Sequence, residues 1–464
     1  MTTAALPLVA YYGDDFTGSA DVMEVMQWAG LRTVLFLQPP TTTELARYAG
    51  LRAYGVAGHS RTMSPEEMNA ELPPIFAGLR ASGAKIIHYK VCSTGDSSAT
   101  IGSIGRALEL GRVVFGEQPV PVLIAAPPLG RYQAFGNLFA RSGLDSEVTR
   151  LDRHPTMRQH PITPMTEADL RLHLGKQTDL PISLVDLPRL ASLNAAEFAE
   201  TAQRGGAILC DACTTDDLRR IGGLLWELAQ RGEPLLVIGS SGVEYALAEY
   251  WRNAGLLESL GARSEMAPPG FAPTEQLLVL TGSCSPVNAR QIAWAEEQGF
   301  ETVAIEPCKL AEESLCGAEV ARVCQLALHH LRAGKNVILH TSRGPTDPRV
   351  AATIKALRRR DFTDMQIKLH SGRVLGPCLG RILVEVLAAH PLPRIGVAGG
   401  DTSGYVARQL GITALEALAP VAPGSPLCRA TTCNALDGLE VIFKGGQVGK
   451  DNVWGTLLRG TLAA

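Results

Sequence analysis

Two adjacent carboxylates, Asp14 and Asp15, are followed at once by Thr17, Gly18 and Ser19. Acids side by side in one crevice repel each other, so they favour a cation, a sugar hydroxyl or a shared proton as partner. Asp15 or Thr17 can instead serve only to cap a following helix. A cap needs one side chain, however, and five polar or glycine positions are crowded together here. A second cluster runs over residues 88–98, where Lys90, Cys92, Ser93, Thr94, Asp96, Ser97 and Ser98 share one short loop. Such a lysine neutralises an acid group, while the hydroxyls and the carboxylate match the donors and acceptors of a polyol. Arg61, in His59-Ser60-Arg61, offers a fork that fits two carboxylate oxygens. His160 opens a proline-bracketed segment, residues 160–166, and reads either as a ligand contact or as a structural residue of a stiff loop.

The second half carries a different chemistry. Gly282-Ser283-Cys284-Ser285-Pro286, Gly399-Gly400-Asp401-Thr402 and Lys444-Gly445-Gly446-Gln447-Val448-Gly449 each follow an apolar run, and Gly424 sits in Pro423-Gly424-Ser425-Pro426. Small residues before a helix start expose backbone N–H groups that suit phosphate. One such turn is weak evidence, since turns need glycine anyway; several at strand ends in one domain point to a nucleotide cradle. No Gly-x-x-x-x-Gly-Lys-[Ser/Thr] occurs, which excludes a P-loop NTPase, and no Gly-x-Gly-x-x-Gly follows the first apolar run.

The elements that must hold these residues alternate along the chain. Residues 6–12 read as a buried strand, and Val22, Val25, Met26 and Ala29 then follow at helical spacing to a stop at Gly30. Further strands are expected at 33–37, 86–89, 120–125, 208–210 and 235–238, with helices at 64–72, stopped by Pro73-Pro74, and at 104–110. After a proline-rich break the pattern restarts, with strands at 277–281, 302–305, 336–340, 394–398 and 439–443 and helices at 287–298 and 311–331. The reading is α/β: two Rossmann-like three-layer domains with mostly parallel sheets and an interdomain cleft. Residues 1–262 form the expected acid-binding domain, 263–274 the linker and 275–464 the nucleotide-binding domain.

Composition narrows the class. The 464 residues are 46% apolar and 19% charged, with 43 basic against 46 acidic residues, so the chain is globular and nucleic acid or an anionic membrane is an unsuited partner. Ten scattered cysteines suggest reduced thiols and a cytoplasmic protein. Cys210 and Cys213 form a Cys-x-x-Cys pair without a second pair at zinc spacing, and no metal ligand set is expected. The N-terminus lacks a basic region before its apolar run and reads as a strand, not as a signal peptide.

Taken together, Gly13-Asp14-Asp15-Phe16-Thr17-Gly18, Lys90 with Cys92-Ser93-Thr94 and Asp96-Ser97, His160-Pro161 with Thr163-Pro164-Met165, Gly282-Ser283-Cys284-Ser285, Gly399-Gly400-Asp401-Thr402 and Lys444-Gly445-Gly446 resemble the four-carbon acid sugar kinase family. The resemblance covers nearly the whole chain, in order. It implies an N-terminal domain for a small sugar acid and a C-terminal domain for ATP with Mg²⁺. The reaction implied is phosphorylation of a terminal hydroxyl of a substrate such as 3-oxo-tetronate or 3-oxo-isoapionate, or else of threonate or erythronate. The Cys-Ser-Thr form of the Lys90 loop is closer to the 3-oxo-acid branch, whereas Gly95 and the Ile101-Gly102-Ser103 turn depart from the family pattern. On this reading Lys90 and Arg61 grip the substrate carboxylate, with Asp14, Asp15, Ser93, Thr94, Asp96 and His160 around the rest. Ser283, Ser285, Gly399, Gly400, Thr402, Gly424, Gly445, Gly446 and Gly449 border the nucleotide. Asp401 is the expected general base, with Asp14 or Asp15 as runner-up. The rivals are an NAD-dependent sugar-acid dehydrogenase and a non-catalytic sugar-acid sensor, and a homodimer stays open.

Overall fold

Most strands of the two large sheets are buried along their whole length, as expected where helices cover both faces of a parallel sheet. The structure, a computed structural model, describes residues 6–141, 147–160, 162–202, 206–262 and 269–461. The chain divides into two compact units, Met1–Val34 with Gln38–Glu265 and Leu35–Leu37 with Met266–Ala464. Among the described residues no helix is long and apolar enough to cross a membrane.

In the first unit the strands are Val9–Gly13 (β1), Thr33–Phe36 (β2), Ala53–Ala57 (β3), Ile86–Lys90 (β4) and Val120–Leu123 (β5). A small antiparallel sheet follows, made of Arg131–Ala134 (β6), Asn137–Arg141 (β7) and Val148–Arg150 (β8). The chain then returns to the main sheet with Ile182–Val185 (β9), Ala207–Cys210 (β10) and Leu235–Gly239 (β11). The main order is β2-β3-β1-β4-β11-β5-β10-β9, with β1 parallel to both β3 and β4. Gly13 is level with Ala57 on one side and Lys90 on the other, so three carboxyl ends finish side by side. The chain leaves β1 toward β2 and β3 and later resumes at β4 on the opposite side. Such a reversal opens a crevice at the strand ends.

The second unit contains Leu278–Thr281 (β12), Glu301–Ala304 (β13), Val337–His340 (β14), Arg394–Ala398 (β15), Ile412–Ala422 (β16), Ser425–Thr432 (β17) and Glu440–Lys444 (β18). Their order is β13-β14-β12-β15-β18-β17-β16, parallel as far as β18 and antiparallel beyond. Direction reverses at β12 and β15, again placing a crevice at carboxyl ends. Its core joins Val279, Ile338, Ala398 and Ile442 of the sheet to Ile292 and Trp454 of two covering helices.

Several elements differ from expectation. The helix Pro65–Ala81 runs straight through Pro73 and Pro74. Its buried stripe, Met68, Leu72, Phe76 and Leu79, continues across the pair, and burying that stripe outweighs the lost backbone bonds. The helix expected over residues 311–331 is two, Pro307–Leu310 and Glu313–Arg332. The 26-residue helix Asp364–Ala389 and the hairpin β16–β17 were not expected. The strongest breaker signals in each, Pro377 and Pro423-Gly424, are tolerated inside the helix and at the hairpin tip respectively. Residues 263–268 of the expected linker lie outside the described residues. Beyond them, Phe271 and Thr274 are tied by their amides to Thr461 and Leu458 of the second unit.

Candidate functional site

At the crevice of the first unit, the acid pair meets Arg61. The guanidinium binds Asp14 with two N–H groups, at 2.6 and 3.1 Å, and reaches Asp15 Oδ1 at 2.7 Å. Its backbone is held as well, since Arg61 N donates to Asp14 O and Asp14 N donates to Lys90 O. Asp15 does cap the helix Phe16–Trp28, accepting from Gly18 N, and also accepts from the Thr17 hydroxyl at 2.7 Å. The two readings of this turn, cap and charged site, are therefore both present.

Burial decides the ionisation of these groups. It raises Asp14 to about 6 even though Arg61 opposes the shift. Burial pushes Asp15 the same way, but Arg61, Lys90, the Thr17 hydroxyl and the Gly18 amide together hold it below the ordinary carboxylate range. Lys90 is only 3% exposed, and its charge acts on both Asp15 and Asp14. It stands over the first turn of the capped helix, where a Cβ added at Gly18 would lie 3.0 Å from Nζ. With both acids ionised, two negative and two positive side chains give a neutral cluster.

The loop after β4 is held from outside by residues the sequence had not singled out. Thr94 Oγ1 donates to Asp96 Oδ1 at 2.6 Å, and both are buried. Ser97 Oγ donates to Gly95 O and meets His173 Nε2 at 3.0 Å, while Gln177 donates to Ser97 Oγ and accepts from Gly105 N. Burial lowers His173 to about 4, so its ring is neutral and can accept. Polar residues four apart on one side of residues 173–177 were the available signal, visible only once their partner was known. Gly102 lies at φ 58° with its amide on Met63 O, and a Cβ there would fall 2.5 Å from Arg61 O. The Ile101-Gly102-Ser103 departure thus serves close packing against Arg61. Ser93 is half-buried beside Thr94. His160 takes no part in these bonds: its Nδ1 accepts from Thr163 N at 3.1 Å and is also engaged by the Thr163 hydroxyl, while Pro161 lies outside the described residues.

In the second unit the glycine turns at the ends of β12, β15 and β18 come together. Gly282 N donates to Ala398 O and Gly399 N to Lys444 O, which locks the three turns side by side. A Cβ at Gly446 would fall 2.0 Å from Ser283 Oγ, and Ser285 Oγ donates to Gly446 O. Gly399 adopts φ 126° and lets the helix Gly400–Gln409 begin immediately after β15. Ser285 caps the neighbouring helix Pro286–Glu297 through Asn288 N. Two helix N-termini and the hydroxyls of Ser283, Ser285 and Thr402 therefore meet at one place, a donor set fitted to polyphosphate. Gln291 Nε2 donates to the carbonyls of Val448, Gly449 and Lys450, holding the last turn, and a Cβ at Gly449 would touch Ala422 at the hairpin that Gly424 closes. Asp401 is exposed in the first turn of Gly400–Gln409, with its Cβ against Gly372 of the long helix. Ser342, which sequence reasoning missed, donates to Ser283 O at 3.2 Å from the end of β14. Among the described residues no cluster of three or more His, Cys, Asp or Glu side chains could hold a metal ion.

Comparison with known proteins adds the following. Residues 9–247 match the family model of a sugar-binding N-terminal domain, and residues 278–453 that of a nucleotide-binding C-terminal domain. Over 459 residues the chain is 44% identical to a 3-oxo-isoapionate kinase of Paraburkholderia graminis, covering 98% of this chain and 95% of that protein. It is 32% identical to a 3-oxo-tetronate kinase of Pseudomonas fluorescens, covering 96% of this chain and 94% of the relative. Two crystal structures share the fold. One, from Salmonella typhimurium LT2, has a TM-score of 0.72 at 24% identity over 96% of this chain and 97% of the other. The other, from Haemophilus influenzae, has a TM-score of 0.67 at 21% identity over 96% and 98%.

Proposed function

Since this chain belongs to the four-carbon acid sugar kinase family, we propose that it phosphorylates a terminal hydroxyl of a 3-oxo sugar acid, with 3-oxo-isoapionate as preferred acceptor. The observation that carries the reading is Lys90, a buried lysine at a strand end beside polyol-type donors and acceptors. A small hydroxylated acid matches that combination of lysine, hydroxyls and carboxylate. The named activity of the relative alike along nearly the full chain narrows the acid to the 3-oxo class.

Lys90 receives the substrate carboxylate. Arg61 does not share that task, because its fork is already engaged by Asp14 and Asp15; it fixes the acid pair instead. Ser93 and Asp96, with Asp15, orient the hydroxyls and the carbonyl. Backbone amides at Gly400 and Thr402 and the Ser283 hydroxyl hold the phosphates, while Ser285, whose hydroxyl is given to Gly446 O, shapes the turn beside them. ATP supplies the transferred phosphoryl group, with Mg²⁺ expected on its phosphates and no dedicated protein cage. Asp401 takes the proton of the attacking hydroxyl. Asp14 is the poorer base, since Arg61 occupies both of its oxygens.

ADP release by the purified chain, measured against 3-oxo-isoapionate, 3-oxo-tetronates, threonate and erythronate, tests the reading. The highest kcat/KM is expected with 3-oxo-isoapionate. Acid binding without ADP would instead favour a sensor, and an acid-dependent NADH signal a dehydrogenase.

A further inference from the structure

The strand that ends in the last glycine turn carries a charge the phosphate cradle does not explain. Lys444 is level with Ala398 and, one strand further, Thr281, and it is fully buried. Its Nζ donates to Gly445 O at 3.1 Å and lies 5.4 Å from the Trp454 ring centre, with no other partner among the described residues. The helix Pro286–Glu297, packed on the same side of the sheet, brings two buried amide side chains to these turns. Asn288 donates to Ser283 O and Gln291 to the carbonyls of Val448, Gly449 and Lys450. Both are fully buried, and in each the carbonyl oxygen, Asn288 Oδ1 or Gln291 Oε1, has no partner. The layer beneath the cradle therefore holds an amine short of acceptors and two acceptors short of donors. No charged side chain of the packed elements acts on the amine; burial alone lowers it to about 7.

We propose that Lys444 is a buried counter-charge for bound polyphosphate, its protonation coupled to occupation of the turns by a nucleotide. Several phosphate charges, acting through the low-dielectric turn Gly445–Gly446, favour the ammonium over the amine. The proton comes from solvent, and no bond to the ligand forms. Lys444 is thus a positioning residue that acts through Gly445 O and its field. The inference rests on the nucleotide reading of this unit.

Calorimetric titration of the full chain with Mg·ATP, without acid substrate, in two buffers of different ionisation heat tests it. At about pH 8 most of one proton should be taken up per nucleotide, since an amine titrating near 7 is then about nine-tenths neutral. Affinity should fall roughly tenfold per pH unit above about pH 8. In Lys444→Gln the uptake should vanish and affinity drop at least ~10-fold. Nucleotide binding without proton uptake by the wild type, or with uptake unchanged in Lys444→Gln, overturns the role of Lys444 and leaves the nucleotide site standing. No nucleotide binding by the wild type overturns the site itself. If the variant does not fold, the wild-type uptake and pH dependence decide alone.

Discussion

The two crevices occupy equivalent places, each at carboxyl strand ends where the chain reverses direction, yet they are built from opposite materials. The first is made of side-chain charges: Asp14, Asp15, Arg61 and Lys90 leave three adjacent strand ends and share one cluster. The second is made of backbone: three glycine turns, two helix N-termini and serine and threonine hydroxyls, with the buried Lys444 behind the turns. Backbone amides serve any polyphosphate, whatever the rest of the ligand. Fixed side-chain ions read one small acid by charge and geometry. The difference assigns specificity to the first unit and the shared phosphate chemistry to the second.

Three measurements would break or sharpen that division. The largest effect is expected from Asp401→Asn, with kcat reduced at least ~100-fold and the KM values changed little, as for loss of a general base. Near-normal turnover would move the base to the first unit. Lys90→Met should come next, lowering kcat/KM for the acid by roughly 10²-fold while leaving Mg·ATP affinity intact, as when one partner of a buried charge pair is removed. A loss shared equally between acid and nucleotide would undo the division. The smallest effect is on stability. Asp14 binds its proton up to about pH 6 when folded, against about 3.8 when unfolded. Between those values the native state holds more protons than the unfolded chain, so the contribution of Asp14 to stability is lost as pH rises. Thermal unfolding should therefore show the wild type losing ground to Asp14→Asn between about pH 4 and pH 6. A difference that stays flat across that window would mean that Arg61 fully compensates the burial of Asp14.

Much of both crevices was legible in advance, for reasons that differ between them. The Asp-Asp turn and the Lys90 loop stood out because polar residues crowd where a buried strand ends, and Lys90 does lie level with Gly13 of β1. The glycine turns stood out because each follows an apolar run. Arg61 was expected to grip the substrate carboxylate together with Lys90, and in the folded chain its Nε and Nη2 bind the two acids. His160 was read from its prolines, and the bond to Thr163 accounts for its ring nitrogen locally. Gln177, His173 and Ser342 could not be picked out in advance, because each works by meeting a partner remote in sequence.

Sequence by itself determined the alternation of buried strand and amphipathic helix, the turn chemistry at each strand end and so the α/β class. Those follow from periodicity and local backbone preference, which are properties of neighbouring residues. Only the tertiary structure decided which strand ends lie side by side, which charges share a cluster, and that a helix can run through Pro73 and Pro74. Strand order and burial are set by contacts far apart along the chain, and the charge state of Asp14 or Lys444 exists only once those contacts have removed the water.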